Sequence, residues 1–86
     1  VKQMYQLYID KNNCKLKVDK LKKSFQDYGP LIAFGHICKE DDIFDYNDCY
    51  KMCKSRKVLV QLARDIKALW LAEAMMVVQQ IEEIKI

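Results

Sequence analysis

Four cysteines, Cys14, Cys38, Cys49 and Cys53, carry the most distinctive spacing in this 86-residue chain. On a helix, Cys49-Tyr-Lys-Met-Cys53 puts two thiols one turn apart on one face, with Cβ atoms about 6 Å apart against the roughly 3.8 Å of a disulfide. Each must then find another partner, and of the three pairings open to four cysteines two remain. The nested one, Cys38–Cys49 with Cys14–Cys53, suits two segments folded back about the acidic stretch between them and is the pairing expected. In the chain-entropy account such bridges stabilise by about 3 and about 4 kcal/mol, comparable with the whole stability of a small domain. They imply an oxidising compartment. Two other uses of the thiols compete: a Cys₄ zinc centre, seldom built from helical i, i+4 thiols, and four reduced thiols packed as small hydrophobes. The disulfide reading is preferred, and no metal is expected.

The remaining reactive groups point away from catalysis. His36 is the single histidine, and a helix would turn Cys38 roughly 200° away from it, against a Cys–His nucleophilic pair. Two glycines cannot build a phosphate-cradling loop. Asp41, Asp42, Asp45 and Asp48 lack the sixth-position Gly and terminal Glu of a calcium-binding loop, and read as solvated loop or cap acids. The chain is therefore expected to be no enzyme and to carry no cofactor. Lys15, Lys17, Lys20, Lys22 and Lys23 could touch phosphates, but Asp19 and Asp27 sit among them and a solvated helix face is the better reading. Met75-Met76 with Trp70 could line an adaptable pocket, although core packing is the commoner use.

Charge alternates by block. Residues 1–28 hold seven Lys against three Asp, residues 31–50 one Lys against five acids, residues 51–57 four bases and no acid, and residues 58–86 three bases against four acids. That is not the single basic face that tracks a nucleic-acid backbone, so no nucleic-acid partner is expected. It suits an electrostatic fit, either within the chain or with a protein partner of complementary charge. The longest apolar stretch, from Ile66 to Ile81, is interrupted by Lys67 and Glu73 and falls short of the ~18 apolar residues of a membrane span. Val1 is either a processed terminus or a boundary of the segment.

The elements that would position these groups read as helices. Met4, Leu7, Cys14, Val18, Leu21, Phe25 and Tyr28 follow 3/4 spacing, with a turn or kink allowed at Asp10-Lys11-Asn12-Asn13. Gly29-Pro30 stops that segment, Gly as a left-handed cap and Pro opening the next helix over Leu31–Cys38. From Asp45 to Ile86 there is neither Gly nor Pro. Leu59, Leu62, Ile66, Leu69, Val77, Ile81 and Ile84 trace one helical face, Trp70, Ala74 and Val78 widen it, and a break is expected near Lys54-Ser55-Arg56-Lys57. Around Leu69–Val78 the helix is apolar on nearly every side, as in a bundle core or an oligomer interface.

The fold expected is one all-α domain over residues 1–86: a small bundle of three to four helices stapled by two disulfides, with a long C-terminal helix. Its function would be that of a small secreted binding protein, an effector or inhibitor of the salivary, venom, parasite or viral kind, acting on a protein target. Contacts are assigned to Lys15, Lys20, Lys22, Lys23, Tyr46, Tyr50, Lys51, Lys54, Arg56 and Lys57, tyrosines being good anchors. Two alternatives stand beside it. One is an intracellular oligomerisation or adaptor module, self-associating through the C-terminal helix. The other is a carrier of a small hydrophobic ligand among Phe34, Trp70, Met75 and Met76. Cys14 followed by Cys49-Tyr-Lys-Met-Cys53 is similar to the first three cysteines of insect odorant-binding proteins, which implies such carriage, but no cysteine follows Cys53 and Cys38 has no counterpart there.

Overall fold

The computed structural model describes residues 3–84. Its elements run β1 (Tyr5–Asp10), β2 (Lys15–Lys20), α1 (Lys23–Gln26), α2 (Gly29–Ile37), β3 (Ile43–Asp45), β4 (Tyr50–Cys53) and α3 (Arg56–Glu82). The strands form one antiparallel sheet in the order β2-β1-β4-β3, so the chain is a mixed sheet-and-helix fold and not an all-α bundle. The reason lies in a competing period. Tyr5, Leu7 and Ile9 alternate with Gln6 and Tyr8, and Leu16 and Val18 alternate with Lys15, Lys17 and Asp19, so every second residue falls on one face of a strand. The 3/4 series through Met4, Leu7 and Val18 combs across two strands and the turn between them. Aromatic and β-branched side chains at these positions favour the pleated surface over a helix.

Both hairpins are closed by short polar side chains. In the first, the Asp10 carboxylate accepts from the Asn13 backbone N–H at 3.3 Å and from its side-chain amide at 2.8 Å. Cys14 N–H donates to the Lys11 carbonyl, and Cys14 takes a left-handed φ of 54°. In the second, Asn47 Oδ1 accepts from the N–H groups of Cys49 and Tyr50, 2.8 Å each, and the Lys51 ammonium meets the Asp45 carboxylate. β4 then returns beside β1, with Tyr5 opposite Cys53 and Tyr8 opposite Tyr50.

The alternation gives the sheet two buried faces. On one, Leu7 and Cys53 are sealed against Leu59 of α3, with Tyr5, Ile9, Leu16, Val18, Leu62 and Ile66 around them. On the other, Met4 and Met52 pack against Leu31 of α2, with Leu21, Phe25, Phe34 and Phe44. Each large side chain so buried contributes about 1.5–3 kcal/mol relative to exposure. Gln6 is the one buried polar residue among those described, and its side-chain oxygen accepts from Lys22 N–H at 3.0 Å where the chain leaves β2.

Three local expectations meet different outcomes. Pro30 sits in the first turn of α2 as its missing N–H allows. Gly29 does not form a left-handed cap: it opens α2 with no positive φ. The break near Lys54–Lys57 coincides with the start of α3, where Ser55 Oγ accepts from Val58 N–H at 3.4 Å. The 27 residues of α3 make a rod about 40 Å long, whereas the six-residue strands beneath it span about 20 Å. Helix therefore overhangs sheet, and the molecule measures 61 × 21 × 17 Å.

All four cysteines are free thiols, which overturns the expected Cys14–Cys53 and Cys38–Cys49 bridges. Strand geometry forbids the first. Cys14 lies just past the end of β1 at Asp10 and Cys53 faces Tyr5 at the other, so they are separated by about 17 Å along the strand against a Cα limit near 7 Å for a bridge. Cys49 and Cys38 also lie at opposite ends of β4: the Cys49 carbonyl accepts from Ile9 N–H at 2.8 Å, while the Cys38 carbonyl accepts from the Lys54 ammonium at 3.3 Å. The premise that Cys49 and Cys53 share a helix face fails because the segment between them is extended. Without those bridges the cysteines give no sign of an oxidising compartment.

Candidate functional site

The residues assigned to partner contact separate into three groups. Lys22, Tyr46 and Tyr50 meet on the face of the sheet away from α3. The Lys22 ammonium lies 5.3 Å from the Tyr50 ring centre and donates to the Tyr50 hydroxyl at 3.2 Å. Tyr50 in turn stacks with Tyr8 and Phe25, Phe25 with Tyr46, Tyr46 with Tyr28, and Tyr28 and Phe34 with Phe44, at centroid distances of 5.1–6.4 Å. Pairs of this kind add about 0.5–1.5 kcal/mol each beyond burial, so this chain of rings fastens α1 and α2 to the sheet. Tyr50 is half-buried in this packing, while Tyr46 keeps 38% of its surface exposed beside Phe25 and Tyr28. Lys15, Lys20 and Lys23 are exposed on β2 and α1, and Lys51 is held by Asp45 and by the Asn47 carbonyl. Lys54, Arg56 and Lys57 gather at the start of α3, where Arg56 and Lys57 border an open groove with Val60, Gln61 and Arg64.

Among the described residues Tyr8 and Asp10 form a titratable pair with clear mutual influence. The Tyr8 hydroxyl donates to Asp10 Oδ2 at 3.2 Å. The Asn13 amide, helped by its backbone N–H and by Tyr8, holds the Asp10 carboxyl below the usual carboxylate range. The negative charge of Asp10 raises the Tyr8 phenol above its ordinary value. This arrangement favours a neutral phenol and a charged carboxylate spent on a turn. Among the described residues no three or more His, Cys, Asp and Glu side chains converge on a point where a metal could sit.

The residues proposed to enclose a hydrophobic ligand do not converge. Phe34 packs in the α2 core, while Met75 and Met76 stand on α3 in solvent. A different cavity of about 300 Å³ opens beside Met4, Leu21, Phe25, Leu31 and Ile32, at the low end of ligand-binding volumes.

The least satisfied surface is the second half of α3. Leu59 at its start is fully buried, yet Leu69, Leu71, Met75, Met76, Val77, Val78, Ile81 and Ile84 are each 52–65% exposed. Sheet support ends near Glu73, whose carboxylate takes the Lys11 ammonium from the tip of the first hairpin at 2.9 Å. The charges of the helix are polarised. From Arg56 to Lys67 there are four bases and one acid, and from Ala68 to Ile84 three acids, Glu73, Glu82 and Glu83, and no base. This arm was legible in sequence as a helix apolar on nearly every side, a signal that stood apart from the charged and tyrosine residues chosen for contact.

Among the described residues no helix is long and apolar enough to cross a membrane. Comparison with protein-family models, with curated proteins and with solved structures finds no match to the chain.

Proposed function

We propose that this chain is a protein-binding module, in which the sheet with α1 and α2 is a rigid base and the overhanging half of α3 is the docking element. The observation that carries the proposal is the run of seven large apolar side chains from Leu69 to Ile81 on α3, with Ile84 just beyond its end, all more than half exposed. These side chains are spread around the helix, and an exposed apolar surface of this kind marks an interaction site. An amphipathic or apolar helix laid against another helix or groove is an established way to remove such a surface from water. An inhibitor of a protein target and an assembly adaptor would both act through such a contact. The absence of any base between Ala68 and Ile84 disfavours an anionic lipid surface as the receiver, because interfacial helices use Lys and Arg on their polar face. No catalytic step is part of the proposal.

The test compares wild-type chain with the double variant Leu71→Glu, Val78→Glu as bait in extracts of the source organism, supplemented with a differently tagged copy of the same chain. Both positions are exposed, so the circular dichroism of the variant should match wild type. A protein retained by wild type and lost with the variant is expected. Retention profiles that do not differ would overturn the docking role of the arm.

A further inference from the structure

We infer that the occupant of the α3 arm is a second copy of this chain, its α3 lying antiparallel to the first. The inference rests on the docking role proposed above and names the partner. Three observations carry it.

The first is charge order. A helix favours acids near its N-terminus and bases near its C-terminus. α3 does the reverse, with no acid in its first turn and no base in its last. In isolation that order costs stability. Two such helices side by side and antiparallel place the acidic end of each, Glu82 and Glu83, along the basic half of the other, Arg64 and Lys67, and also oppose the two macrodipoles. A parallel pair would set like charges together. One helix therefore carries both halves of a complementary match, which a two-fold axis would satisfy twice.

The second observation is the stripe available for contact. Val60, Arg64, Lys67, Leu71, Ala74, Val78 and Ile81 follow alternating spacings of four and three, the 3.5-residue repeat of paired helices. Leu59, Leu62 and Ile66 face the sheet, and the stripe, which passes one residue beyond Leu59 and one beyond Ile66, runs along the flank of the helix about 100° round from them. From Arg64 onward it is exposed. A second helix can approach along this flank over the stretch where α3 overhangs the sheet. The stems of Arg64 and Lys67 extend apolar cover while their charges reach the rim.

The third is area. A monomer leaves the arm in water, whereas two arms crossing antiparallel cover the stripe residues Leu71, Val78 and Ile81, each more than half exposed, in both copies at once.

The experiment is sedimentation equilibrium of the purified chain over a concentration series at low and high salt. Mass should rise from 10.2 kDa toward twice that value with concentration, more readily at low salt. Reversal of the acidic end (Glu82→Lys, Glu83→Lys) or of the basic segment (Arg64→Glu, Lys67→Glu) should each weaken association at least about tenfold, about 1.4 kcal/mol. All four changes in one chain should restore it. A mass of 10.2 kDa throughout would overturn self-pairing, while a foreign protein captured in the arm-dependent pull-down would leave the docking role standing. Dimers that survive Leu71→Glu, Val78→Glu, or charge reversals that fail to rescue each other, would also overturn it.

Discussion

The ammonium of Lys11 and the carboxylate of Glu73, 62 positions apart in the chain, meet at 2.9 Å. The contact joins the tip of the first hairpin to α3 at the place where sheet gives way to unsupported helix. Both partners are about half exposed or more, so the ion pair contributes about 0–1 kcal/mol and serves chiefly to aim the arm. Lys11→Ala is expected to lower stability by less than about 1 kcal/mol, with the difference vanishing in high salt. Urea unfolding at two ionic strengths measures both.

Leu7 sits where β1, β4 and α3 meet and has no exposed surface. Leu7→Ala removes its contacts from both layers and should destabilise the fold by about 2–5 kcal/mol. For a chain of this size that is a large fraction of the total. A midpoint shift in urea corresponding to less than about 1 kcal/mol would show that α3 does not seal this face.

Asp10 should titrate below an ordinary aspartate, because Asn13 hydrogen-bonds its charged form. A carboxyl lowered in the folded state contributes stability that is present above its unfolded value and is lost as pH falls through its folded value. The first hairpin is thus expected to loosen only in acid stronger than that which protonates a free aspartate. Asn13→Ala should move the Asp10 midpoint upward, read from the carboxylate carbon shift by NMR.

The cysteines should alkylate without prior reduction, and intact mass should be the same with and without reductant. Cys14 and Cys49 are exposed and should react first. Cys53 is buried, its thiol donates to the Glu40 carbonyl at 3.4 Å, and burial pushes it above the ordinary thiol range. Its modification should track global unfolding. A mass two or four units lower before reduction would contradict the free-thiol arrangement.

What could be read in the sequence depended on which local signal had no competitor. Pro30 at the head of α2 rests on its missing N–H, the turn at Asp10–Asn13 on a run of poor helix formers, and the break near Lys54–Lys57, which here separates β4 from α3, on the length that a continuous helix would have; each is in place. The strands were hidden because Leu7, Val18 and Leu21 satisfy a helical period while Leu16-Lys17-Val18 satisfies a period of two, and long-range pairing with β4 decided between them. The cysteine pairing failed downstream of that choice, since i, i+4 thiols on a helix become distant thiols on a strand. Of the candidate contacts, Tyr46 and Tyr50 also pack against Phe25 of α1, a contact that sequence spacing does not encode. The arm of α3 was visible throughout, because an all-round apolar helix needs no tertiary partner to be recognised.

The two outer strands leave little room for this protein to associate by extending its sheet. β3 is only three residues long, and β2 carries Lys15, Lys17 and Lys20, whose charges penalise an incoming strand. Fibrous growth through strand addition is thereby discouraged at both borders. A chain with one greasy rod and two guarded edges is steered toward small closed assemblies built on helices, and away from open-ended polymers.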